Sequence, residues 1–388
     1  MRIVDIREST VPISRYADPS VAPGGLTTSM VAIVTDTSCN GGALAGYGFA
    51  SIGRFAQGGL IRERFAPRLL QARPEALLAD NGKYIDPLKA WDIMMTGEKQ
   101  GGHGERCVAV GALDMALWDL AGKAVGKPLY QLLSDVFGIS DGVADVPVYA
   151  GGGYYFPSND IARLRDEAQS FIDLGFQSIK IKIGSMPLGA DLERIEAALS
   201  VIGEGANLAI DAMNAYSPRS ALEAARALEP YRLRWFEDIC DPLDYETHRK
   251  VTQAYAPPIS SGEALFSLAD ARNLLRYGGL RAGHDVLTFD PAHCYGLAEY
   301  ARIIKLFLDA GWSRRDFQPH GGHLFGLHVT AGLGLGGCEC NPHNFQPFGG
   351  FSDGQKIADG MTAPPNEPGI GFETKTSLIG LLRRQLEL

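Results

Sequence analysis

Three acidic residues, Asp211, Glu237 and Glu263, recur along the chain at one constant interval of 26 residues. Each follows a short run that reads as a strand (Leu208-Ala209-Ile210, Leu233-Arg234-Trp235-Phe236 and Pro258-Ile259-Ser260-Ser261-Gly262), and helical sequence follows each. Carboxylates held a few ångströms apart cannot all stay ionised without a counterion, and ligands that offer only oxygen favour a hard cation such as Mg2+ over Zn2+. The triad is therefore read as a site for one magnesium ion per subunit. Any one of these acids, taken alone, could as well cap a helix or pair with an arginine. Their shared interval and shared place after a strand argue for a joint role.

Two lysines stand in Ser178-Ile179-Lys180-Ile181-Lys182-Ile183-Gly184. On a strand the isoleucines face one side and the lysines the other, so in a closed barrel both ammonium groups would enter the interior. Burial and mutual repulsion would depress their pKa values and move one toward the range of a general base. An exposed edge strand with solvated lysines is the alternative. Farther on, Asp290 follows Val286-Leu287-Thr288-Phe289 and His320 follows Phe317-Gln318-Pro319. A carboxylate that accepts from one imidazole nitrogen orients the ring, stabilises its protonated form and leaves the other nitrogen free to exchange a proton with substrate.

Weaker signals surround these. Glu339, between Cys338 and Cys340, would face inward from a strand, either to bond a substrate carboxylate or to pair with an interior lysine. Lys99 and His103, on a Gly-rich segment, and Arg54, after Gly46-Tyr47-Gly48-Phe49, are candidates to reach over a barrel mouth toward a far carboxylate. His323 and His328 are expected to pack or hydrogen-bond within the seventh barrel unit.

An interval of 26 residues is one strand, one helix and two short loops, the βα unit of a parallel sheet. Eight candidate strands fit this reading, at 146–149, 178–183, 208–211, 234–237, 258–262, 286–290, 317–320 and 337–340. That is the count of a (β/α)8 barrel, or of a (β/α)7β variant if the unit between His320 and Glu339 is abbreviated. Such barrels place their chemistry at the C-terminal ends of the strands, where all the residues named above would lie. Before the barrel, strands at 2–8, 28–36 and 44–49, a loop at Val21-Ala22-Pro23-Gly24-Gly25, helices near 58–72 and 86–96 and a long helix ending about 124 read as a separate α+β unit. The expected domains are a capping unit over 1–127, the barrel over 128–345, and a segment over 346–388 that returns to pack on the capping unit.

At 388 residues, 45% hydrophobic and 21% charged, the chain can bury a large core. A net charge of −9 argues against a nucleic-acid partner, which would require basic stripes. No run reaches membrane-spanning length and the start lacks a signal-peptide pattern, so a cytoplasmic protein with no membrane partner is expected. Six cysteines without Cys-x-x-Cys spacing predict neither a disulfide framework nor a zinc knuckle.

Lys180-x-Lys182, Asp211, Glu237, Glu263, Asp290 and His320, in this order, resemble the mandelate racemase subgroup of the enolase superfamily over essentially the whole chain. The helix from Gly111 to Lys123 and the Gly126-Lys127-Pro128-Leu129 that follows are similar to its junction into the barrel. Gly58 to Phe65, Gly101 to Arg106, Asn273 to Gly279, Pro319 to His323 and Phe345 to Phe351 are most similar to the D-tartrate dehydratase group. The resemblance implies Mg2+-dependent removal of a proton α to a carboxylate of a small hydroxy acid or diacid. Lys182 would be the base, Lys180 the cation holding the carboxylate, and His320, set by Asp290, the acid that releases a 3-hydroxyl; D-tartrate would give oxaloacetate. It also implies a homo-oligomer, a dimer or an octamer. The family commonly has Asp-x-Asn at its first ligand, whereas Asp211-Ala212-Met213-Asn214 places Asn one residue late unless a bulge restores Asn214. Methionine cannot hydrogen-bond a hydroxyl as asparagine can. The second ligand reads Glu237-Asp238 where Glu-Glu or Glu-Pro is usual.

Other readings of the same residues stay open. Lys182 and His320 could act as the two bases of a racemase or epimerase, or the site could dehydrate another sugar acid. Lys182 could form a Schiff base in a metal-independent aldolase, or the fold could bind acid sugars without catalysis.

Overall fold

Three antiparallel strands, β1 (Ile3–Pro12), β2 (Thr27–Cys39) and β3 (Gly42–Phe49), open the computed structural model, which describes residues 1–22, 24–39, 41–140 and 145–388. Pro23 of the expected first loop lies outside these residues. β2 is the middle strand and is buried on both faces from Thr28 to Thr35, matching a run that is apolar or β-branched except at Ser29. Against β3 packs the helix Glu105–Val125, buried from Cys107 to Gly122, whose apolar residues run round its whole circumference. Glycine is required in β3 for this approach: a Cβ on Gly46 would lie 2.2 Å from the Ala116 carbonyl oxygen, and one on Gly48 2.3 Å from that of Ala112.

The second sheet is parallel. Its strands β4 (Val146–Gly151), β5 (Ile179–Lys182), β6 (Leu208–Asp211), β7 (Trp235–Glu237), β8 (Ile259–Ser261), β9 (Val286–Leu287) and β10 (Cys338–Cys340) run in the order β10-β4-β5-β6-β7-β8-β9, with helices between most neighbours. The segment 317–320, expected as a strand, makes only a single bridge, Phe317 to Leu287. Pro319 has no N–H to donate, and Gly321 and Gly322 turn the chain with φ of +127° and +61°. The segment nevertheless joins β9 to β10. Gln318 N donates to Leu287 O at 2.9 Å, and Gly336 N donates to Phe317 O at 2.9 Å.

Register decides which side chains meet. Lys182 pairs with Asp211, and Asp211 with Glu237, so a lysine and two acids share one rung. The next partner on that rung is Ser260, not Glu263. β8 ends at Ser261, Gly262 turns the chain with φ +141°, and Glu263 lies beyond the strand. The constant interval thus conceals a change of register at the third acid.

After β10 the chain returns. β11 (Met361–Thr362) pairs antiparallel with β4, Ile370 N donates to Asp119 Oδ1 at 2.8 Å, and Arg7 Nη1 donates to Leu386 O at 2.9 Å beside the helix Thr376–Gln385. The barrel is tied to the long helix at the turn after β9. Leu297 N donates to Asp114 Oδ2 at 2.7 Å, Trp91 Nε1 donates to Tyr295 O at 2.6 Å, and a Cβ on Gly111 would lie 1.7 Å from the Ala292 oxygen. Among the described residues no helix is long and apolar enough to cross a membrane.

Candidate active site

Inward-facing side chains of β5, β6, β7 and β10 form one charged cluster. Lys180 Nζ lies 2.7 Å from Glu237 Oε1 and 3.3 Å from Glu339 Oε1, and Lys182 pairs with Asp211. Ile179, Ile181 and Ile183 join the hydrophobic core, as alternation requires. Oxygens of Asp211, Glu237 and Glu263 lie within 4.8 Å of one another. Trp235 Nε1 donates to Glu237 Oε2 at 2.6 Å, and Met213 N to Asp211 Oδ1 at 2.7 Å, so these two acids are held in place before any ligand arrives.

The expected depression of the lysines is not what the structure gives. Burial does pull both downward, but Asp211 beside Lys182, and Glu237 then Glu339 beside Lys180, outweigh it and hold both ammonium groups above their ordinary values. The acids between the lysines, not the lysines' mutual repulsion, set their protonation. Burial pushes Glu237 up to about 7 against the pull of Lys180. Glu339 stays below its usual range because Lys180 overcomes burial, so it is an ionised partner of that lysine.

Asp290 and His320 meet as expected, Nδ1 to Oδ2 at 2.8 Å. His320 Nε2 stands 3.5 Å from Glu263 Oε2, so the imidazole touches the acid cluster at the end opposite Lys182. Burial opposes charge on His320, yet Glu263 and the hydrogen bond that the ring donates to Asp290 raise its pKa to about 9. Asp290 Oδ1 accepts from the backbone N–H of Ala292 at 2.7 Å and of His293 at 3.2 Å.

A cavity of about 730 Å3 is lined by Arg54, Gly101, His103, Asn214 and Phe266, among others; it reaches Ala264, next in the chain to Glu263, while Lys182, the three acids and His320 are not in its wall. Arg54 stacks on Phe266, 4.7 Å from its ring centre. His103 Nδ1 lies 3.2 Å from the Tyr295 hydroxyl. Met213 and Asn214 both adopt left-handed backbone, φ +48° and +61°, which turns Asn214 into the cavity wall with its Oδ1 buried and without a partner. Lys99 lies apart from these residues, on an adjoining cavity that shares Gln100 and His103.

Residues 163–378 match the sequence profile described as Enolase C-terminal domain-like, and residues 82–134 match that of the mandelate racemase / muconate lactonizing enzyme, N-terminal domain. The chain belongs to the mandelate racemase/muconate lactonizing enzyme family of the enolase superfamily. It is 29% identical over 300 residues to an arabinonate dehydratase of Saccharolobus solfataricus, covering 76% of this chain and 77% of that one. It is 30% identical to a 3,6-anhydro-alpha-L-galactonate cycloisomerase of Streptomyces coelicolor, covering 75% of each. An L-talarate dehydratase from Polaromonas sp. JS666, solved with Mg and L-glucarate, superposes with a TM-score of 0.75 at 27% identity, over 99% of this chain and 97% of that one.

The residues present fit the superfamily's magnesium ion. The donor set is all carboxylate, and both oxygens of Asp238 and Oε2 of Glu263 are buried beside it without any hydrogen-bond partner. Burial, and then the negative charge of Glu263, drive Asp238 well above the usual carboxylate range, a crowding of acids that a bound cation would relieve.

Several residues of this superfamily site escape sequence reading. Trp235 donates to Glu237, yet a tryptophan in a strand reads as core, and nothing in the Glu237-Asp238 pair shows that both oxygens of Asp238 are buried without a partner. Ser51 donates to Asp290 Oδ2 at 2.7 Å from a loop of the capping unit, with nothing in its sequence context to mark it. His323 and His328 do not confine themselves to the seventh unit. His323 Nε2 lies 3.0 Å from Ser51 Oγ, and His328 Nδ1 accepts from Tyr130 N at 3.3 Å.

Proposed function

We propose that the protein is a Mg2+-dependent dehydratase of an acid sugar or hydroxy diacid, with D-tartrate, converted to oxaloacetate, as the preferred candidate. The observation that carries this reading is the single rung Lys182, Asp211 and Glu237, with His320 reaching Glu263 at the other end of the acids. A base and an acid flanking one group of carboxylates can serve the two halves of an elimination.

Magnesium, held by Asp211, Glu237 and Glu263, would supply a Lewis acid for the charge that builds on the substrate carboxylate as its α-proton leaves. Lys180 offers a fixed positive charge beside that carboxylate. Lys182 Nζ takes the α-proton as the neutral amine, after its ammonium has released a proton to solvent; a cation held by Asp211 would favour that release by weakening the ion pair. His320 Nε2 delivers a proton to the departing 3-hydroxyl, which leaves as water, while Asp290 holds Nδ1 and stabilises the ring's charge. The enol product tautomerises to a 2-keto acid. Arg54 and His103, at the mouth, suit the second carboxylate of a diacid, and Asn214 supplies an unpartnered acceptor for a hydroxyl.

Isomerisation is the second reading, favoured by the same two-ended arrangement. Without a leaving group at C3, a proton removed by Lys182 and returned by His320 would invert or shift a centre instead of eliminating. A panel of acid sugars and diacids, D-tartrate included, separates the two. Formation of 2-keto acid that is abolished by EDTA and restored by Mg2+ supports dehydration, and substrate epimerisation without keto acid supports isomerisation. Trapping of a lysine adduct by borohydride in the absence of metal would refute both.

A further inference from the structure

We propose that Ser51 and His323 are positioning residues for His320. A directed chain of hydrogen bonds from the backbone at Gly326 through His323 and Ser51 to Asp290 would fix the orientation of the acid and make its readiness depend on how the capping unit is seated. The proposal rests on the reading of His320 as the acid.

The direction of each bond follows from what each atom can do. Gly326 N–H donates to His323 Nδ1 at 3.3 Å, capping the helix Leu324–Leu333, so the proton of this ring is on Nε2. Burial keeps the ring neutral by pushing its pKa down to about 4. Nε2–H therefore donates to Ser51 Oγ, 3.0 Å away, and the one hydroxyl hydrogen of Ser51 is directed to Asp290 Oδ2 at 2.7 Å. His320 Nδ1–H reaches the same oxygen at 2.8 Å. With Oδ1 occupied by two backbone N–H groups, the acceptor capacity of Asp290 is filled.

His293 shows what this arrangement excludes. Its Nδ1 lies 3.5 Å from Asp290 Oδ2 and its ring is tilted over His320 at 5.4 Å, yet neither of its nitrogens has a partner. Were Ser51 removed, a lone pair of Oδ2 would become available to His293, and Asp290 could turn away from His320.

Ser51 is fully buried and adopts φ +52°, a conformation that residues with side chains seldom take, with its carbonyl bonded by Thr28 Oγ1 at 3.2 Å. Its loop continues past the dyad. A Cβ on Gly53 would lie 3.9 Å from His320 Cε1, and Arg54 lines the cavity mouth. One loop of the capping unit thus meets Asp290, His320 and the substrate space in four residues.

The decisive measurement is 15N-edited NMR of the full chain without substrate, with the His320 Nδ1–H resonance assigned by its loss in His320→Asn. Ser51→Ala and His323→Asn, the latter keeping a helix cap at 323, should each move that resonance and speed its exchange with water by about tenfold or more, with thermal unfolding close to wild type. With D-tartrate, Ser51→Ala should lower the elimination kcat by about 10- to 100-fold while KM and α-deuterium uptake from D2O persist. An unchanged Nδ1–H resonance in folded Ser51→Ala overturns the proposal, as does an equal loss of elimination and exchange. If the wild type acts on no acid tested, the functional reading fails and the resonance alone decides.

Discussion

Replacing Asp290 by asparagine changes no volume but reverses the two hydrogen bonds at its Oδ2. The amide oxygen must take the Oδ1 side, because Ala292 N and His293 N donate there at 2.7 and 3.2 Å. The NH2 group is then forced onto the Oδ2 side, facing His320 Nδ1 at 2.8 Å and Ser51 Oγ at 2.7 Å. Two donors cannot satisfy each other, so His320 gives up its Nδ1 proton and turns into the neutral tautomer that carries hydrogen on Nε2. It also loses the carboxylate that helps hold its pKa at about 9. The lost acid catalysis should cost about 10²- to 10⁴-fold in elimination, or about 3–5 kcal/mol of barrier. Lys182 is paired with Asp211 at the other end of the acids and should be untouched. Single-turnover keto-acid formation and α-deuterium uptake, followed on one sample, should therefore separate, the first falling and the second surviving. Elimination by Asp290→Asn within about fivefold of wild type would refute the assignment of the acid.

Magnesium at about 100 times its Kd should stabilise the protein by about 2.7 kcal/mol, read as a Tm rise of several degrees that Glu263→Gln abolishes. In metal-free protein His320 has a folded pKa raised to about 9, so its contribution, on the order of 3 kcal/mol, is whole below about pH 6.5 and is lost as pH rises through 9. Urea midpoints of wild type and His320→Asn should converge over that window; the difference between the two proteins cancels groups such as Lys375, whose pKa burial lowers to about 8. Lys180→Met leaves Glu237 and Glu339 buried without their cation and should lower metal-free stability by about 3 kcal/mol in urea titrations; no loss would mean that the pair is not the structural element described here.

The barrel and its charged rung were legible in the sequence because period and interval are backbone properties. Alternation in Ile179 to Ile183 sent both lysines inward, and the equal spacing of three acids picked out carboxylates whose oxygens lie within 4.8 Å of one another. Most of what failed depended on contacts between distant segments. The protonation of the lysines turned on acids from β6, β7 and β10, so local repulsion gave the wrong sign. Pro319 and two positive-φ glycines cut short the seventh strand, a local effect that was readable in principle. Ser51 lies 239 residues from Asp290, and no pattern within its own loop announces that pairing.

The positions set by backbone register and those set by docking divide along a physical line. Lys182, Asp211 and Glu237 are joined by backbone register, so none can shift without breaking the ladder, and under the proposed function the capacity to move an α-proton is fixed by the fold. Arg54, His103 and Ser51 are brought to the site by the docking of the long helix and its neighbours on the turn after β9, where Gly111 meets Ala292 and Asp114 holds Leu297. Side chains set by docking can change without disturbing the rung. Substrate choice and the readiness of the acid should therefore respond to substitutions in the capping unit, while the loss of the α-proton responds to those in the barrel. A capping-unit substitution such as Arg54→Ala should then raise KM for a diacid while α-deuterium exchange at saturating substrate stays within about threefold of wild type. Equal loss of both would place Arg54 in the proton transfer itself and break the division.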